Sequence, residues 1–444
     1  MPLLEFVGQG ASDSDNIVAD PSRLLNLYRE RSVEGTPWLK SVLSMMPHTN
    51  LPGVFVEAMA VVSGELFAVC GAKLFRIDLD GSAFELGDVA SGPATISGNN
   101  GIVAVQAGTR YFTYDGTTVS EPTAGAFSGF GSAEFFGNYT ILTEANGRRF
   151  QWSALADAED LPGLSFSTAD GRDDNLVRAL ALHGSLYLFK QRSHEIWYNT
   201  GGAGAEAFER QAGGVKDLGL AGHGLICRFV GGAFMVGSDN RASIIAPGGI
   251  QPVSTPAVET AIKTKRPSYC ITYSDEGHEF LCIIFRDAPA WCYDIATGEW
   301  HERAEGVNLE PWQVMASAEF SGSWYAGRAN GEIAVMQRTD IDGTVPLIRE
   351  ATSRTLYVDG QRPIMRELEF FARQGFANVD LTVSVSRDGG YTWTPWKTRN
   401  LGGAGNFDQR AIWRNLGQFR RFNVKIRWSL ASGVNLNANA RVQT

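Results

Sequence analysis

The feature that most constrains the fold is a weak repeat of paired apolar strands through the middle of the chain. In each unit an apolar strand, a glycine-containing turn and a second strand follow one another. Seven residues mark the second strands: Phe75, Tyr111, Phe150, Trp197, Ile244, Trp291 and Ile333. Their spacing of 36 to 47 residues is typical of a β-propeller, whose four-stranded blades recur about every 40–50 residues. We predict an all-β protein with a propeller of about seven blades, or six if one unit belongs to another element. A large β-sandwich is the alternative, although it does not require seven similar strand pairs.

The composition fits many short strands joined by tight turns. Glycine accounts for 50 of the 444 residues, and 11% of the residues are aromatic, which favours strands and turns over long helices. No apolar run approaches the ~18–20 residues of a membrane helix, so we expect no membrane span. The first residues show no secretory signal. The five cysteines include no C-x-x-C pair, so we expect buried thiols and synthesis in a reducing cytosol.

The charge is distributed unevenly along the chain. Residues 345–444 carry a net charge of +8, whereas residues 1–344 carry −17. Within the basic part, Phe422, Val424, Ile426, Trp428 and Leu430 alternate with polar residues, as in an antiparallel sandwich with one buried face. Such an asymmetry suggests two domains with different surroundings.

We therefore predict three segments. Residues 1–53 form an N-terminal arm, which is either extended or contains a short helix over Arg23–Arg31 capped by Asp20. Residues 54–344 form the propeller, and residues 345–444 form a C-terminal antiparallel β-sandwich. A strand from a distant part of the chain can also close a propeller, in which case the boundary at Val345 is crossed.

The sequence contains no recognisable set of catalytic, cofactor-binding or metal-ligating residues. It lacks a phosphate-binding G-x-x-x-x-G-K-[ST] loop, an H-E-x-x-H zinc motif and a G-x-S-x-G elbow. The six histidines show no ligand spacing, and the frequent carboxylate pairs are too common in loops to indicate a glycosidase. We predict a protein that is not an enzyme and that holds no cofactor or metal.

One motif resembles the Asp box of sialidases and other propellers. Its residues are Ser386, Asp388, Gly390, Thr392 and Trp393. Asp388 can accept backbone hydrogen bonds across the turn, Gly390 can supply a positive φ, and Trp393 can pack beneath. We therefore predict a structural turn rather than a catalytic group.

The Asp box keeps one alternative function open, namely a propeller-type glycan hydrolase or glycan-binding protein. Trp197, Trp291 and Trp324 would then line a propeller mouth, although packing in the core is the simpler interpretation for these tryptophans. A cytosolic interaction propeller is a third possibility.

Five basic residues near the C-terminus form a candidate interface: Arg414, Arg420, Arg421, Lys425 and Arg427. Such a stripe can face phosphates or an acidic partner. It can equally be a solvated strand face that protects a sheet edge from aggregation.

Motifs at both ends of the chain resemble one protein family. The N-terminal motif contains Asp20, Arg23, Asn26 and Tyr28, in the order A-D…R-x-x-N-L-Y. The C-terminal motif runs from Trp413 through Gly417 to Arg420 and Arg421. Both are similar to the opening and closing motifs of the tail hub proteins of short-tailed bacteriophages (podoviruses), also called packaged-DNA stabilisation proteins or tail accessory factors. The resemblance spans nearly the whole chain. The individual motifs are loose, and it is their order along the chain that is specific to the family.

The resemblance implies a structural virion protein of the phage tail, made in the host cytoplasm. It implies a homohexamer beneath the portal and adaptor rings that extends the DNA channel and retains packaged DNA. It also implies that the hub anchors tail fibres, tailspikes or a needle. Double-stranded DNA would pass through the ring without tight binding, because strong phosphate pairing would retard ejection. The acidic and basic parts of the chain offer two complementary surfaces for ring assembly.

Overall fold

The computed structural model describes residues 3–7, 22–30, 37–123, 125–202, 204–358, 360–373, 378–403, 405–429 and 434–444. Five strands precede the repeats: β1 (Leu3–Glu5), β2 (Arg23–Leu25), β3 (Leu27–Glu30), β4 (Trp38–Ser41) and β5 (Ser44–Asn50). Strands β2 and β3 occupy the segment for which a short helix was one alternative. Asp20, the proposed cap of that helix, lies outside the described residues.

Seven four-stranded units follow around a central axis. The first three blades contain β6 (Val56–Val62), β7 (Glu65–Cys70), β8 (Lys73–Ile77), β9 (Ala83–Asp88), β10 (Ala94–Asn99), β11 (Ile102–Ala107), β12 (Arg110–Tyr114), β13 (Val119–Ser120), β14 (Phe130–Phe136), β15 (Tyr139–Glu144), β16 (Arg149–Trp152) and β17 (Phe166–Thr168). The fourth and fifth blades contain β18 (Leu176–Leu182), β19 (Ser185–Lys190), β20 (His194–Asn199), β21 (Phe208–Lys216), β22 (Ile226–Phe229), β23 (Gly232–Val236), β24 (Ala242–Ala246) and β25 (Gly249–Pro252). A 3-10 turn (Gly204–Glu206) precedes β21, and the single described α-helix, α1 (Pro256–Thr264), follows β25.

The last two blades involve strands from elsewhere in the chain. The sixth contains β26 (Pro267–Asp275), β27 (His278–Phe285), β28 (Ala290–Asp294) and β29 (Glu299–Glu305), with the short β30 (Glu310–Pro311) paired to β29. The seventh contains β31 (Val314–Phe320), β32 (Ser323–Arg328) and β33 (Glu332–Gln337), and β5 is its outermost strand. Each blade except the sixth is thus a separate four-stranded sheet. The strands of the sixth blade, β26 to β29, belong to a larger sheet. The predicted propeller of about seven, or six, blades is confirmed.

The local sequence explains the regular hairpins. In six of the blades the first and second strands are joined by a two-residue turn with positive φ at both positions, for example Asn100 (51°) and Gly101 (86°). This backbone matches the twist of the flanking strands, and Asn and Gly adopt it at low cost. The seven repeat markers all lie on the third strand of their blades. The repeat seen in the sequence is therefore the second-to-third-strand hairpin of each blade.

Strand β5 closes the propeller with a segment that precedes it in the sequence. Its register with β33 pairs Ser44 with Gln337 and Asn50 with Glu332. The side chain of Met45 is completely buried among residues of the sixth and seventh blades. Residues 44–50, placed by the sequence analysis in the N-terminal arm, are therefore part of a blade. The reason is that a ring of blades needs a last strand to pair its open edge.

The second domain is a sandwich built from both ends of the chain. Its C-terminal strands are β34 (Ile341–Asp342), β35 (Val345–Pro346), β36 (Arg349–Thr352), β37 (Leu356–Tyr357), β38 (Ile364–Arg373), β39 (Asp380–Ser386), β40 (Lys397–Asn400), β41 (Asp408–Gln418), β42 (Arg421–Trp428), β43 (Asn435–Asn437) and β44 (Asn439–Gln443). Strands β34 and β35 form a separate hairpin in the linker. One sheet has the order β1-β44-β38-β43-β4-β3, with β41 also paired to β38. The other continues from the sixth blade in the order β29-β2-β36-β42-β39-β40.

The two sheets enclose one apolar core. Phe422, Val424, Ile426 and Trp428 point into it as the alternation predicted, whereas Leu430 lies outside the described residues. The core also contains Leu4, Phe6, Leu24, Leu27 and Leu39 from the N-terminal strands. The sandwich is thus not confined to residues 345–444, and the predicted boundaries of the three segments stay predictions. Asn423, one of the polar residues that alternate along β42, is nevertheless buried, and its amide donates to the hydroxyl of Thr355 (2.9 Å).

No helix among the described residues is long and apolar enough to cross a membrane.

The closing strand provides a test of the fold. We expect Met45→Ala to lower the free energy of unfolding by about 2–5 kcal/mol, because it leaves a cavity at the closure of the ring. Asn50→Ala, at the exposed end of the same strand, is the control and should change it by no more than about 0.5 kcal/mol. Urea unfolding measures both, and equal losses would contradict the closing role of β5.

Candidate functional site

Three residues of the N-terminal motif, Arg23, Asn26 and Tyr28, lie where the sandwich meets the propeller; Asp20 lies outside the described residues. Arg23 on β2 forms a two-pronged ion pair with Glu302 of the sixth blade, with Nε–Oε1 and Nη2–Oε2 distances of 2.8 and 2.6 Å. Strand β2 also runs parallel to β29 at this point, with Leu25 opposite Glu302. The motif therefore continues the blade into the sandwich sheet.

Asn26 is the polar centre of this junction. Its side-chain amide donates to the carbonyl of Ile348 (2.8 Å), and its side-chain oxygen accepts from the N–H of Ala304 (3.0 Å). Its own backbone N–H donates to Glu302 (2.9 Å) and its carbonyl accepts from Val42 (3.2 Å). The residue is buried and has φ of 55°, a conformation that Asn tolerates better than most residues. One side chain thus ties the sixth blade to the linker between the domains.

Tyr28 packs its ring between the two domains. Its centroid lies 5.1 Å from that of Phe280 and 4.8 Å from that of His278, both on β27. Its hydroxyl lies 3.4 Å from a carboxylate oxygen of Asp275. Burial, followed by the nearby Asp275 charge, raises the pKa of the phenol, which therefore remains neutral and acts as a packing group.

A polar network surrounds Tyr28. His278 Nδ1 lies 2.7 Å from Asp294, and Nε2 lies 3.2 Å from Glu30 of β3. Burial works against charging this imidazole, but hydrogen bonds and charge from Asp294 and Glu30 outweigh it and raise the pKa of His278. Lys40 of β4 bridges Glu30 and Glu276 at 2.8 Å each.

The chain passes between the two domains near residues 41–44 and near residues 338–349, and a buried arginine holds each of these segments in place. Arg349 is completely buried; its Nε donates to the Ser41 hydroxyl (2.6 Å), and burial lowers its pKa to about 10. The Arg303 guanidinium lies 3.9 Å from the ring centroid of Trp312 and donates to the carbonyl of Leu43. Both crossings, near residues 41–44 and 338–349, are therefore anchored by charge-assisted hydrogen bonds.

The five predicted basic residues do not form one stripe. Arg414 lies on β41 and pairs with Glu367 of the neighbouring strand β38 (Nε–Oε2, 3.0 Å), in the sheet that does not contain β42. Arg420 is exposed in the turn before β42. Only Arg421, Lys425 and Arg427 share a strand face, because β41 and β42 belong to different sheets.

Each of these three cations on β42 covers an aromatic ring. The distances to the ring centroids are 5.9 Å for Arg421 and Tyr357, 4.5 Å for Lys425 and Trp393, and 4.9 Å for Arg427 and Trp396. Arg427 also pairs with the buried Glu350 at 2.5 Å. Tyr357 and Trp396 were not among the predicted site residues. For Trp396, its close spacing with Trp393 was the available sequence signal. We call Tyr357, Tyr391, Trp393, Trp396, Arg421, Lys425 and Arg427 the cation–aromatic face.

The Asp-box turn lies beside this face. Asp388 accepts from the backbone N–H (3.0 Å) and the hydroxyl (2.6 Å) of Thr392, and Ser386 Oγ accepts from the N–H of Gly390 (2.8 Å). Gly390 has φ of 98°, and the Trp393 indole donates to its carbonyl (3.0 Å). Burial raises the pKa of Asp388, but these hydrogen bonds outweigh it and lower the pKa overall. The five residues thus satisfy one another's polar groups around a tight turn.

The propeller axis contains a cavity of about 380 Å³ lined by the first strands of all seven blades. Two of its arginines are held in place: Arg228 pairs with Glu134 at 2.6 Å, and Arg178 donates to the carbonyl of His223 (3.2 Å). Burial and the Arg178 charge lower the pKa of His223 to about 3. Trp324 borders this cavity, whereas Trp197 and Trp291 are buried between blades. Among the described residues, no group of three or more His, Cys, Asp or Glu side chains is placed to hold a metal.

Asn26 gives a test of the junction. Asn26→Ala removes two hydrogen bonds and leaves the half-buried carbonyl of Ile348 and the buried N–H of Ala304 unpaired, so we expect a loss of about 2–5 kcal/mol in the free energy of unfolding. Asn138→Ala is the matched control, because Asn138 has φ of 67° but is exposed in a hairpin turn. The control should lose about 1 kcal/mol, the cost of the backbone conformation alone. Similar losses in both variants would show that the side-chain bonds of Asn26 contribute nothing.

His278 gives a pH-dependent test. Because its pKa is raised in the folded protein, the stabilisation from the protonated ring is present below about 6.5 and is lost as the pH rises through the folded-state value. The destabilisation by His278→Gln should therefore be larger at pH 5.5 than at pH 8.5 in urea unfolding. His183→Gln, in an exposed turn of the fourth blade, is the control for loss of an imidazole. A His278→Gln effect that is independent of pH would contradict the charged pairing with Asp294 and Glu30.

Comparison with known proteins identifies both domains. Residues 48–340 match the family model described as bacteriophage P22 Gp10, beta-propeller, and residues 348–443 match bacteriophage P22 Gp10, beta-sandwich. No curated protein matches the sequence significantly.

Several solved structures share a low overall similarity with the chain. A chain of a mitotic checkpoint complex is 12% identical (TM-score 0.47; 66% of this chain and 92% of that chain covered). BamB from Moraxella catarrhalis is 11% identical (TM-score 0.41; 76% and 98% covered). PorZ of Porphyromonas gingivalis is 12% identical (TM-score 0.43; 81% and 48% covered).

The two family models together cover nearly the whole chain, and the predicted resemblance to podovirus tail hub proteins is confirmed. The family is structural, so the glycan-hydrolase alternative is set aside. The chain belongs to the bacteriophage P22 Gp10 family of tail hub proteins, and it is a structural protein of the phage tail rather than an enzyme.

Proposed function

We propose that six copies of the chain form a hub beneath the portal and adaptor rings of a short-tailed phage. The observation that carries this proposal is the match of both domains, in order, to the P22 Gp10 family. The junction around Asn26 supports it, since it ties the sixth blade to the linker and to β2 by buried hydrogen bonds. A subunit with such a junction can transmit load between portal and distal tail without bending at a linker.

The hub extends the portal channel and retains the packaged DNA. The chain has a net charge of −9, which disfavours tight binding to the DNA backbone. Double-stranded DNA therefore passes through the ring during ejection without tight phosphate contacts.

Tail fibres, tailspikes or a needle dock on the outside and distal end of the hub. The basic residues Arg414, Arg420, Arg421, Lys425 and Arg427 serve contacts with neighbouring subunits or these partners. Synthesis takes place in the host cytoplasm, where the five cysteines, which are all free in the structure, stay reduced.

The test is the copy number of the chain in purified particles of the phage that encodes it. Quantitative mass spectrometry with isotope-labelled reference peptides should give about one copy per two portal subunits, as expected for a hexamer under a dodecameric portal. The major capsid protein is the internal control for particle integrity. Absence of the chain from particles, or a ratio far from one half, would contradict the proposal.

A further inference from the structure

The two faces of the propeller differ in charge. In the first six blades, the turns that join first to second and third to fourth strands contain eight acidic residues and no Lys or Arg. On the opposite face, the turns and the connections between blades contain nine acidic and eight basic residues. We call the first of these the hairpin face. The net negative charge of the propeller turns is therefore concentrated on one side, which the amino-acid composition alone does not show.

The longest turn on the hairpin face combines acids with exposed leucines. Residues 153–165 connect β16 to β17 in the third blade, and we call this segment the acidic loop. Its side chains of Leu155 and Leu164 are 62% and 81% exposed, and Glu159 and Asp160 are exposed beside them.

The acidic loop is held in shape by hydrogen bonds within the loop and to the second blade. Asp157 accepts from the N–H groups of Glu159 and Asp160 at 2.9 and 3.3 Å. The Ala158 carbonyl accepts from the hydroxyl of Tyr111 (2.8 Å) in the second blade. A rigid loop that presents large apolar groups among acids is typical of a protein-binding surface.

The cation–aromatic face has the complementary composition. Tyr357 and Trp396, whose rings lie against Arg421 and Arg427, are 56% and 42% exposed. Tyr391, in the adjoining Asp-box turn, is 60% exposed. Tyr, Trp and Arg are the residues most enriched at the centres of protein interfaces. The two surfaces thus match in both respects, apolar against aromatic and acidic against basic.

Their positions in one subunit suit a head-to-tail contact. The cation–aromatic face belongs to the sheet that continues from the sixth blade, whereas the acidic loop belongs to the third blade. These blades are three steps apart in a ring of seven, so they lie on opposite sides of the axis. Two different complementary surfaces on opposite sides generate a ring or a filament, not a two-fold dimer.

We propose that the acidic loop of one copy binds the cation–aromatic face of the next copy, and that this is the repeating contact of the ring. The number of copies in the ring rests on the proposed function, whereas the contact between neighbouring copies is inferred from the two surfaces alone. Residues Leu155 and Leu164 insert against Tyr391 and Trp396, and Glu159 and Asp160 face Arg421 and the cations beside it.

Two pairs of substitutions at exposed positions test the contact. Leu155→Ser with Leu164→Ser disables the acidic loop, and Tyr391→Ser with Trp396→Ser disables the cation–aromatic face. Sedimentation velocity on the full chain should show concentration-dependent oligomers for the wild type. Each double variant should weaken association by about thirtyfold or more, as expected for truncated hot-spot residues. Val54→Ser with Val307→Ser, equally exposed positions outside both surfaces, should assemble like the wild type. Circular dichroism confirms folding of each variant.

The mixture of the two disabled variants gives the decisive result. One intact loop and one intact cation–aromatic face then remain, so an equimolar mixture should form dimers and stop there. A mixture that stays monomeric, variants that assemble normally, or a wild type that is monomeric at all concentrations would overturn the inference.

The charge contribution and the competing DNA ligand are tested in parallel. Glu159→Lys with Asp160→Lys should abolish assembly, and adding Arg420→Glu with Arg421→Glu in the same chain should restore it. Fluorescence anisotropy with a labelled 30-nucleotide DNA tests whether the cation–aromatic face binds DNA instead of a second copy of the chain. If the Tyr391 and Trp396 substitutions reduce DNA binding but not self-association, the face binds nucleic acid and the inference fails. Particles with the expected copy number would in that case still support the proposed function.

Discussion

The structure depends on the pairing of four of the five N-terminal strands with partners more than 250 residues away. Strand β5 completes the seventh blade, and β1 to β4 complete the two sheets of the sandwich. Neither domain can bury its open edge until the chain ends have met, because an unpaired strand edge leaves its backbone polar groups exposed. The two domains are therefore coupled by topology, and loss of the first fifty residues would remove strands from both.

The chemistry at the domain junction follows from this topology. The regular ladder of backbone hydrogen bonds is interrupted between β2 and β3, where the chain passes beside the sixth blade. There the Asn26 side chain bonds the N–H of Ala304 on the blade and the carbonyl of Ile348 in the linker. Arg303 and Arg349 perform the same task at the chain crossings, where buried carbonyls of Leu43 and Leu347 have no strand partners. Buried cations are stable here because backbone oxygens and aromatic rings replace their water.

The basic residues illustrate how far the sequence can be interpreted for a binding surface. Their number and net charge were visible in the last hundred residues, as was the alternation along β42. The sequence did not show that Arg414 lies in the other sheet, nor that the cations of β42 cover aromatic rings from two neighbouring segments. These facts depend on which strands pair, and strand pairing over long separations has no local signature. The asymmetry between the two propeller faces was hidden for the same reason, since it appears only when the turns are assigned to one side of the ring.

The sequence by itself determined the features that arise from short-range patterns. The seven strand pairs, the alternating core residues of β42 and the turn around Asp388 all follow from side-chain period and turn chemistry within a few residues. The tertiary structure alone decided which strand closes the ring, which N-terminal residues enter the sandwich core and which charges share a surface. These features depend on which distant segments bury the remaining open strand edges and apolar faces. That outcome depends on the whole chain and cannot be inferred from any single segment.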